Sequence, residues 1–223
     1  SCVGVFQHQA LHAKKVVITA GPTLEPIDPV RYLSNRSSGK MGYAIAEAMV
    51  DAGAEVILIS GPVSLQCPDR CRLVSVTSAH EMLDAATDAA QDTDIFISAA
   101  AVADYYVAET SEQKIKKKSA KMTLNLEKTP DIVSIVKENN SKLFVLGFAA
   151  ETQHVEQYAR EKLANKNLDA IIANDVSRED IGFNSDDNEA LWVDKESTHQ
   201  FSKCNKAQLA RDLVALLATK LES

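Results

Sequence analysis

The chain of 223 residues carries 24 Lys and Arg against 31 Asp and Glu, a net charge of −7, and 45% of its residues are hydrophobic. That length is about one and a half times the ~150-residue prior for one domain, which excludes a second complete domain, and area scaling buries roughly 72% of the unfolded chain's surface. The composition excludes global disorder, the acidic balance argues against nucleic acid as a partner, and apolar runs such as Ile95–Ala101 are too short to span a bilayer.

The N-terminus shows no secretory pattern, and Cys2, Cys67, Cys71 and Cys204 form no disulfide framework. Both features fit a reducing, cytoplasmic setting. Cys67 and Cys71 are spaced as a CxxxC loop pair with no companion cluster for a metal.

Residues 1–14 lack any period and read as a linker remnant, which leaves 15–223 as one unit. Short runs rich in Val, Ile and Leu at Lys15–Ala20, Glu55–Ser60, Arg72–Val76, Asp94–Ala99, Leu143–Ala149 and Asp169–Ala173 read as strands buried on both faces. Helical stripes separate them: Met41, Ile45, Ala48, Met49 and Ala52 after the first strand, then Val155, Ala159 and Leu163 after the fifth. Between residues 105 and 142 the rhythm breaks. A charged stretch, Glu109–Lys118, precedes an alternating segment, Lys121–Glu127, and then Thr129-Pro130-Asp131 opens a helix. Residues 189–202 read as an antiparallel hairpin, and Leu209, Leu213, Leu216, Leu217 and Leu221 line one face of a last helix. Alternating β and α elements predict a doubly wound α/β fold with a mostly parallel sheet and right-handed crossovers.

In such a sheet ligands bind outside the C-terminal strand ends, so the informative loops follow Ala20, Ala99, Phe148 and Ala173. After Ala20 about fifteen residues intervene before a helix, and only Gly39-x-x-Gly42 resembles the end of a dinucleotide turn. What remains is Ser37-Ser38-Gly39-Lys40 at a helix start, where backbone N–H groups, hydroxyls and the helix dipole favour an anion. The alternative is that Ser38 is only a cap and Gly39 only lets the helix approach the sheet. Asn35 offers a donor and an acceptor, and Arg31 and Arg36 carry forks suited to phosphate or carboxylate.

Small residues at Ser98–Ala103 leave room for a base or sugar against the backbone, with Asp104 placed for a ribose hydroxyl or a metal, or else for a turn cap. Lys114–Lys118 is either a solvated face or a lid that carries a lysine onto a polyphosphate. Tyr158 and Lys162 match the YxxxK of short-chain dehydrogenases, but strand two ends Ile59-Ser60-Gly61 without an acid for a ribose.

The run VVITAGPTLEPIDPVRYLSNRSSGKMG, Val16 to Gly42, resembles the signature of the phosphopantothenoylcysteine synthetase family. Further segments agree in the family's order: Ser98–Tyr105, KIKK at Lys114–Lys117, PDIV at Pro130–Val133, GFAAET at Gly147–Thr152, Asn165–Val176 and GFNSDDN at Gly182–Asn188. The similarity extends over roughly residues 15–220, and it is to the bacterial, CTP-using form fused behind a flavin-dependent phosphopantothenoylcysteine decarboxylase. The chain therefore reads as the synthetase half alone, without flavin.

The resemblance implies a Rossmann-like three-layer sheet with a small β element for homodimerisation, a mobile lid at about residues 106–120, and ligation of 4′-phosphopantothenate to L-cysteine. CTP, with Mg²⁺ on its triphosphate, would activate the acid as an acyl-cytidylate with release of pyrophosphate, and cysteine would then expel CMP. By motif matching, Asn35 and Lys114 are catalytic; CTP meets Ala99, Ala100, Ala101, Asp104, Lys114, Thr129, Pro130, Asp131, Ile132, Phe148, Lys162 and Lys166; and Arg31, Ser37, Ser38 and Gly39 take the substrate phosphate. Residues 121–127 and the 189–202 hairpin are the expected dimer elements. The residue reading by itself leaves two competitors: an NAD(P)-binding oxidoreductase, and a non-catalytic regulatory subunit of a flavoprotein complex, which would need neither Asn35 nor Lys114.

Overall fold

The computed structural model describes residues 10–117, 120–175 and 187–222. Its strands are β1 (Lys15–Ala20), β2 (Leu24–Pro26), β3 (Tyr32–Ser34), β4 (Glu55–Ser60), β5 (Arg72–Ser75), β6 (Ile95–Ser98), β7 (Tyr105–Val107), β8 (Leu126–Lys128), β9 (Phe144–Glu151), β10 (Ala170–Asp175), β11 (Asp187–Asp194) and β12 (Thr198–Asn205). Its helices are α1 (Lys40–Asp51), α2 (Ala79–Ala89), α3 (Ile132–Asn139), α4 (Val155–Asn165) and α5 (Lys206–Glu222).

The central eight-stranded sheet runs β12-β11-β10-β9-β6-β1-β4-β5. Its members from β10 to β5 are parallel, and β11 and β12 join antiparallel. Successive side chains in a strand point to opposite faces, so each buried strand feeds two cores. Val16, Ile18 and Ala20 pack with α1 and α5, whereas Val17 packs with α2, α3 and α4. This is the expected three-layer α/β arrangement. The crossover from β1 enters α1 on one face and that from β6 enters α3 on the other, which opens a crevice between the two strand ends.

Three details depart from the sequence expectation. Residues Arg72–Ser75 form an edge strand with Arg72, Leu73 and Ser75 exposed, because only β4 lies beside them. The 189–202 hairpin is present as β11 and β12, but it extends the main sheet through pairs such as Ile172 with Trp192. Of the alternating segment 121–127, only the end pairs, as β8 against β7.

Close approach of α1 to β1 depends on Gly42, where a Cβ would lie 2.6 Å from the Ala20 Cβ. Gly39 caps that helix at φ 74°, in the left-handed region that glycine enters at little cost. At the other edge, the hairpin turn is fixed by Asp194, which accepts from the Trp192 indole N–H at 2.9 Å and pairs with Lys220 of α5 at 2.9 Å. Burial opposes its charge, but Lys220, the indole and two backbone N–H groups outweigh burial and hold the carboxyl well below the usual carboxylate range.

Candidate active site

A cavity of about 580 Å³ opens over the ends of β1, β6, β9 and β10. Its floor is stitched from two loops. The Ala99 N–H donates to the Thr19 carbonyl (3.1 Å), the Ala101 N–H to Gly21 (2.8 Å) and the Ala103 N–H to the buried Thr23 hydroxyl (3.0 Å). The Thr129 hydroxyl donates to the Ala103 carbonyl at 2.6 Å, which brings the entry to α3 onto the same floor. The small residues Ala99, Ala100, Ala101 and Ala103 line the cavity.

Asn35 reaches this floor from the long segment after β1. Its side-chain NH₂ donates to the Val102 carbonyl at 2.9 Å, across 67 residues of sequence. Ser37, Ser38, Gly39 and Lys40 form the adjoining wall at the α1 N-terminus, the end of a helix whose dipole favours an anion.

The opposite wall belongs to α3 and α4. Asp131 caps α3 by accepting from the Ser134 N–H at 3.3 Å and pairs with Lys166 at 2.9 Å. Partial burial raises its carboxyl and Lys166 lowers it, and the net result lies below the usual range. Lys162 pairs with Glu151 at 2.5 Å. Both lysines line the cavity, one helical turn apart, along with Phe148.

The fold thus gathers Asn35, Ser37, Ser38, Gly39, Ala99, Ala100, Ala101, Asp104, Thr129, Pro130, Asp131, Ile132, Phe148, Lys162 and Lys166 around one space. Two expected residues stand outside it. Lys114 is exposed on the loop after β7. Arg31 spends its guanidinium on Asp28, Nε at 3.1 Å, and on the Ile115 carbonyl, at 2.8 Å. Asp28, whose side chain is fully buried, also accepts from the Val30, Arg31 and Ile115 N–H groups. Chiefly through Arg31, its carboxyl is held well below the usual range although burial opposes this. The loop bearing Lys114 is therefore fastened, one residue away, to the β2–β3 hairpin.

Residues 11–221 match the family described as DNA/pantothenate metabolism flavoprotein, C-terminal domain. The chain belongs to this family. Similar proteins called coenzyme A biosynthesis bifunctional protein CoaBC include one from Vibrio vulnificus, 49% identical over 98% of this chain and 55% of the relative. Another, from Haemophilus influenzae, is 51% identical over 93% of this chain and 52% of the relative. The chain thus spans about half the length of the curated relatives it matches. A crystal structure of the C-terminal domain of a CoaBC protein superposes with a TM-score of 0.82 at 40% identity, covering 96% of this chain and 98% of that one. A Streptococcus pneumoniae DNA/pantothenate metabolism flavoprotein gives 0.81 at 28% identity, covering 93% of this chain and 100% of that one. Membership of this C-terminal-domain family bears out the resemblance carried by Val16–Gly42 and the segments after it.

The sequence reading missed Lys128, Asn174, Asn188 and Lys206, all of which line the cavity. Asn174 and Asn188 lie in the matching segments Asn165–Val176 and Gly182–Asn188, and topology also flags the loop after Ala173; Lys206 arrives through the antiparallel extension of the sheet, which neither signal points to. Val176 and residues 182–186 of the matching motifs lie outside the described residues. Among the described residues, no group of three or more His, Cys, Asp or Glu could hold a metal ion, and no helix is long and apolar enough to cross a membrane.

Proposed function

We propose that this chain ligates 4′-phosphopantothenate to L-cysteine in coenzyme A synthesis, as a cytoplasmic homodimer and as one part of a longer polypeptide whose other part is a flavin-dependent decarboxylase. The observation that carries the reading is the meeting of Asn35 with the residues expected to hold the nucleotide, on one floor, in a family whose relatives are named for coenzyme A biosynthesis.

A carboxylate resists amine attack until its oxygen becomes part of a leaving group. In this reading the acid attacks the α-phosphate of CTP, pyrophosphate leaves, and the amine of cysteine then attacks the acyl-cytidylate and expels CMP. Negative charge grows on the α-phosphate in the first step and on the acyl oxygen in the second, and fixed donors at those positions lower both barriers. The α1 N-terminus with Ser37, Ser38 and Gly39 suits a phosphate, and Lys162, Lys166 and Phe148 suit the nucleotide. Asn35, held by Val102, presents its amide to the acyl group. Lys114 serves the first step, and Arg31 the substrate phosphate of a neighbouring subunit, in a state in which the Asp28–Arg31–Ile115 tie has opened and the loop has folded over the cavity. Mg²⁺ supplies charge neutralisation on a triphosphate; Asp104, exposed at the cavity, is the hard oxygen donor that fits it, with the nucleotide's own oxygens completing the shell. Val30, Tyr32, Tyr105 and Leu126 expose apolar surface on the β2–β3 and β7–β8 ribbons, the surface assigned here to the second copy.

The test measures pyrophosphate release with phosphopantothenate and either CTP or ATP, with and without cysteine. Pyrophosphate that appears with CTP and the acid before any amide supports the order of steps. Asn35→Asp should let the acyl-cytidylate accumulate, and Lys114→Gln should stop its formation, each with a loss of ~10²- to 10³-fold in the affected step. Near-normal turnover in both variants would remove the assignments.

A further inference from the structure

The cavity has a third polar corner that neither the nucleotide nor the acid uses in the reading above. It lies where β10, β11 and the start of α5 meet, on the α1 and α5 side of the sheet. Asn174 extends the alternation of Ala170 and Ile172, which pack into that core, and so faces the same side. Its carboxamide oxygen is sealed from solvent and has no hydrogen-bond partner, the one such side-chain atom among the described residues. A buried polar atom left unpaired is disfavoured, and in a native structure it calls for a functional role, strain, or a bound water, ion or ligand to account for it. Asn188 of β11 and Lys206 of α5 are both buried at the same cavity. The Asn188 oxygen accepts from the Glu189 N–H at 3.0 Å, so what that side chain can turn to a ligand is its NH₂.

Carboxylate and the largely dianionic phosphate monoester act chiefly as acceptors at neutral pH, which makes them poor partners for the Asn174 oxygen. Rotation about the Asn174 Cβ–Cγ bond presents either an acceptor or a donor to the cavity. A ligand that suits both, beside an ammonium and a second amide NH₂, has an amine and an acid group on neighbouring atoms. The geometry points to Asn174, Asn188 and Lys206 as the subsite for the α-amino acid co-substrate, with Lys206 and Asn188 on its carboxylate and Asn174 on its amine. This assignment rests on the ligase reading. A neutral amide suits a nucleophilic amine better than a carboxylate would, because it accepts an N–H bond with much less stabilisation of the ammonium form, whose nitrogen has no lone pair.

Steady-state kinetics with cysteine and with cysteamine, which lacks the carboxylate, test the assignment on the chain carrying Lys206→Met, Asn174→Leu or Asn174→Asp. Lys206→Met should lower kcat/KM for cysteine by about 10- to 100-fold, the range of one lost charged hydrogen bond, and erase the preference for cysteine over cysteamine. Asn174→Leu should weaken both amines alike. Asn174→Asp should move the pH profile of amide formation toward higher pH, because a carboxylate beside the amine raises its pKa. Melting curves identify any variant that fails to fold, and the other two then decide. An unchanged cysteine-to-cysteamine ratio in Lys206→Met with an unmoved pH profile in Asn174→Asp overturns the assignment, as does a rise confined to the KM of phosphopantothenate. If the unaltered chain joins no amine to the acid with any nucleotide, the ligase reading itself has failed.

Discussion

Gly42→Ala tests whether the anion wall depends on how closely α1 approaches β1. The added methyl carbon would sit 2.6 Å from the Ala20 Cβ and 3.3 Å from its Cα. Carbon atoms rest at about 3.5–4.0 Å, so the first turn of α1 must retreat by about 1 Å. Overpacking of this kind costs about 1–3 kcal/mol, and exchanging Gly for Ala in a helix returns ~0.8–1 kcal/mol. The net destabilisation is then about 0–2 kcal/mol, a Tm drop of at most about 8 °C for a chain of this size. The effect on ligand handling is larger. A 1 Å shift of groups that position a reacting phosphate costs about 10²-fold, so pyrophosphate formation should fall by that factor in a protein that still melts cooperatively. Calorimetric titration with inorganic pyrophosphate checks the wall without relying on turnover. A Gly42→Ala protein with parental affinity for pyrophosphate and parental turnover would refute the argument that Gly42 places this wall.

Two further perturbations follow from the charged ties. Asp28→Asn leaves a poorer acceptor for Arg31 and for the Ile115 N–H, so brief trypsin digestion should cut after Lys114, Lys116 or Lys117 sooner than in the parent; equal cleavage rates would show that the tie does not restrain the loop. Asp194 has a folded-state pKa depressed below its unfolded value, so its contribution is present above the unfolded value of about 3.8 and is lost as pH falls below it. Thermal melting from pH 6 to pH 3 should show a loss of Tm that Asp194→Asn flattens, at the expense of a lower Tm at neutral pH, and parallel curves for the two proteins would contradict this.

The parallel core was legible because its strands are apolar on both faces, as at Val16–Ala20 and Ile95–Ser98, and such runs have few other uses. Arg72–Ser75 reads much the same in sequence, but nothing local says that a strand has a neighbour on one side only. The ribbons at Leu24–Pro26, Tyr32–Ser34 and Tyr105–Val107 are three residues each, too short for a period to emerge. Helix α2 carries a local signal, since Ser78 accepts from the Glu81 N–H while Glu81 accepts from the Thr77 N–H, an N-terminal pattern readable from Ser-x-x-Glu. At the site, the residues that the family resemblance named are mostly ones that line the cavity. The resemblance could not find the Asn35 bond to Val102, the Arg31 bond to Ile115 or the arrival of Lys206, because each joins segments far apart in the chain.

Lys162 and Lys166 already face Glu151 and Asp131, so an anion entering this wall trades places with a resident carboxylate. For a small monovalent ion that swap yields little, since one negative neighbour replaces another. A ligand with several linked negative groups should gain, because Lys162, Lys166 and the helix end at Gly39 line one cavity and could be engaged together. The wall should therefore favour linked, multivalent anions over simple salts, a preference that neutralising either carboxylate should weaken.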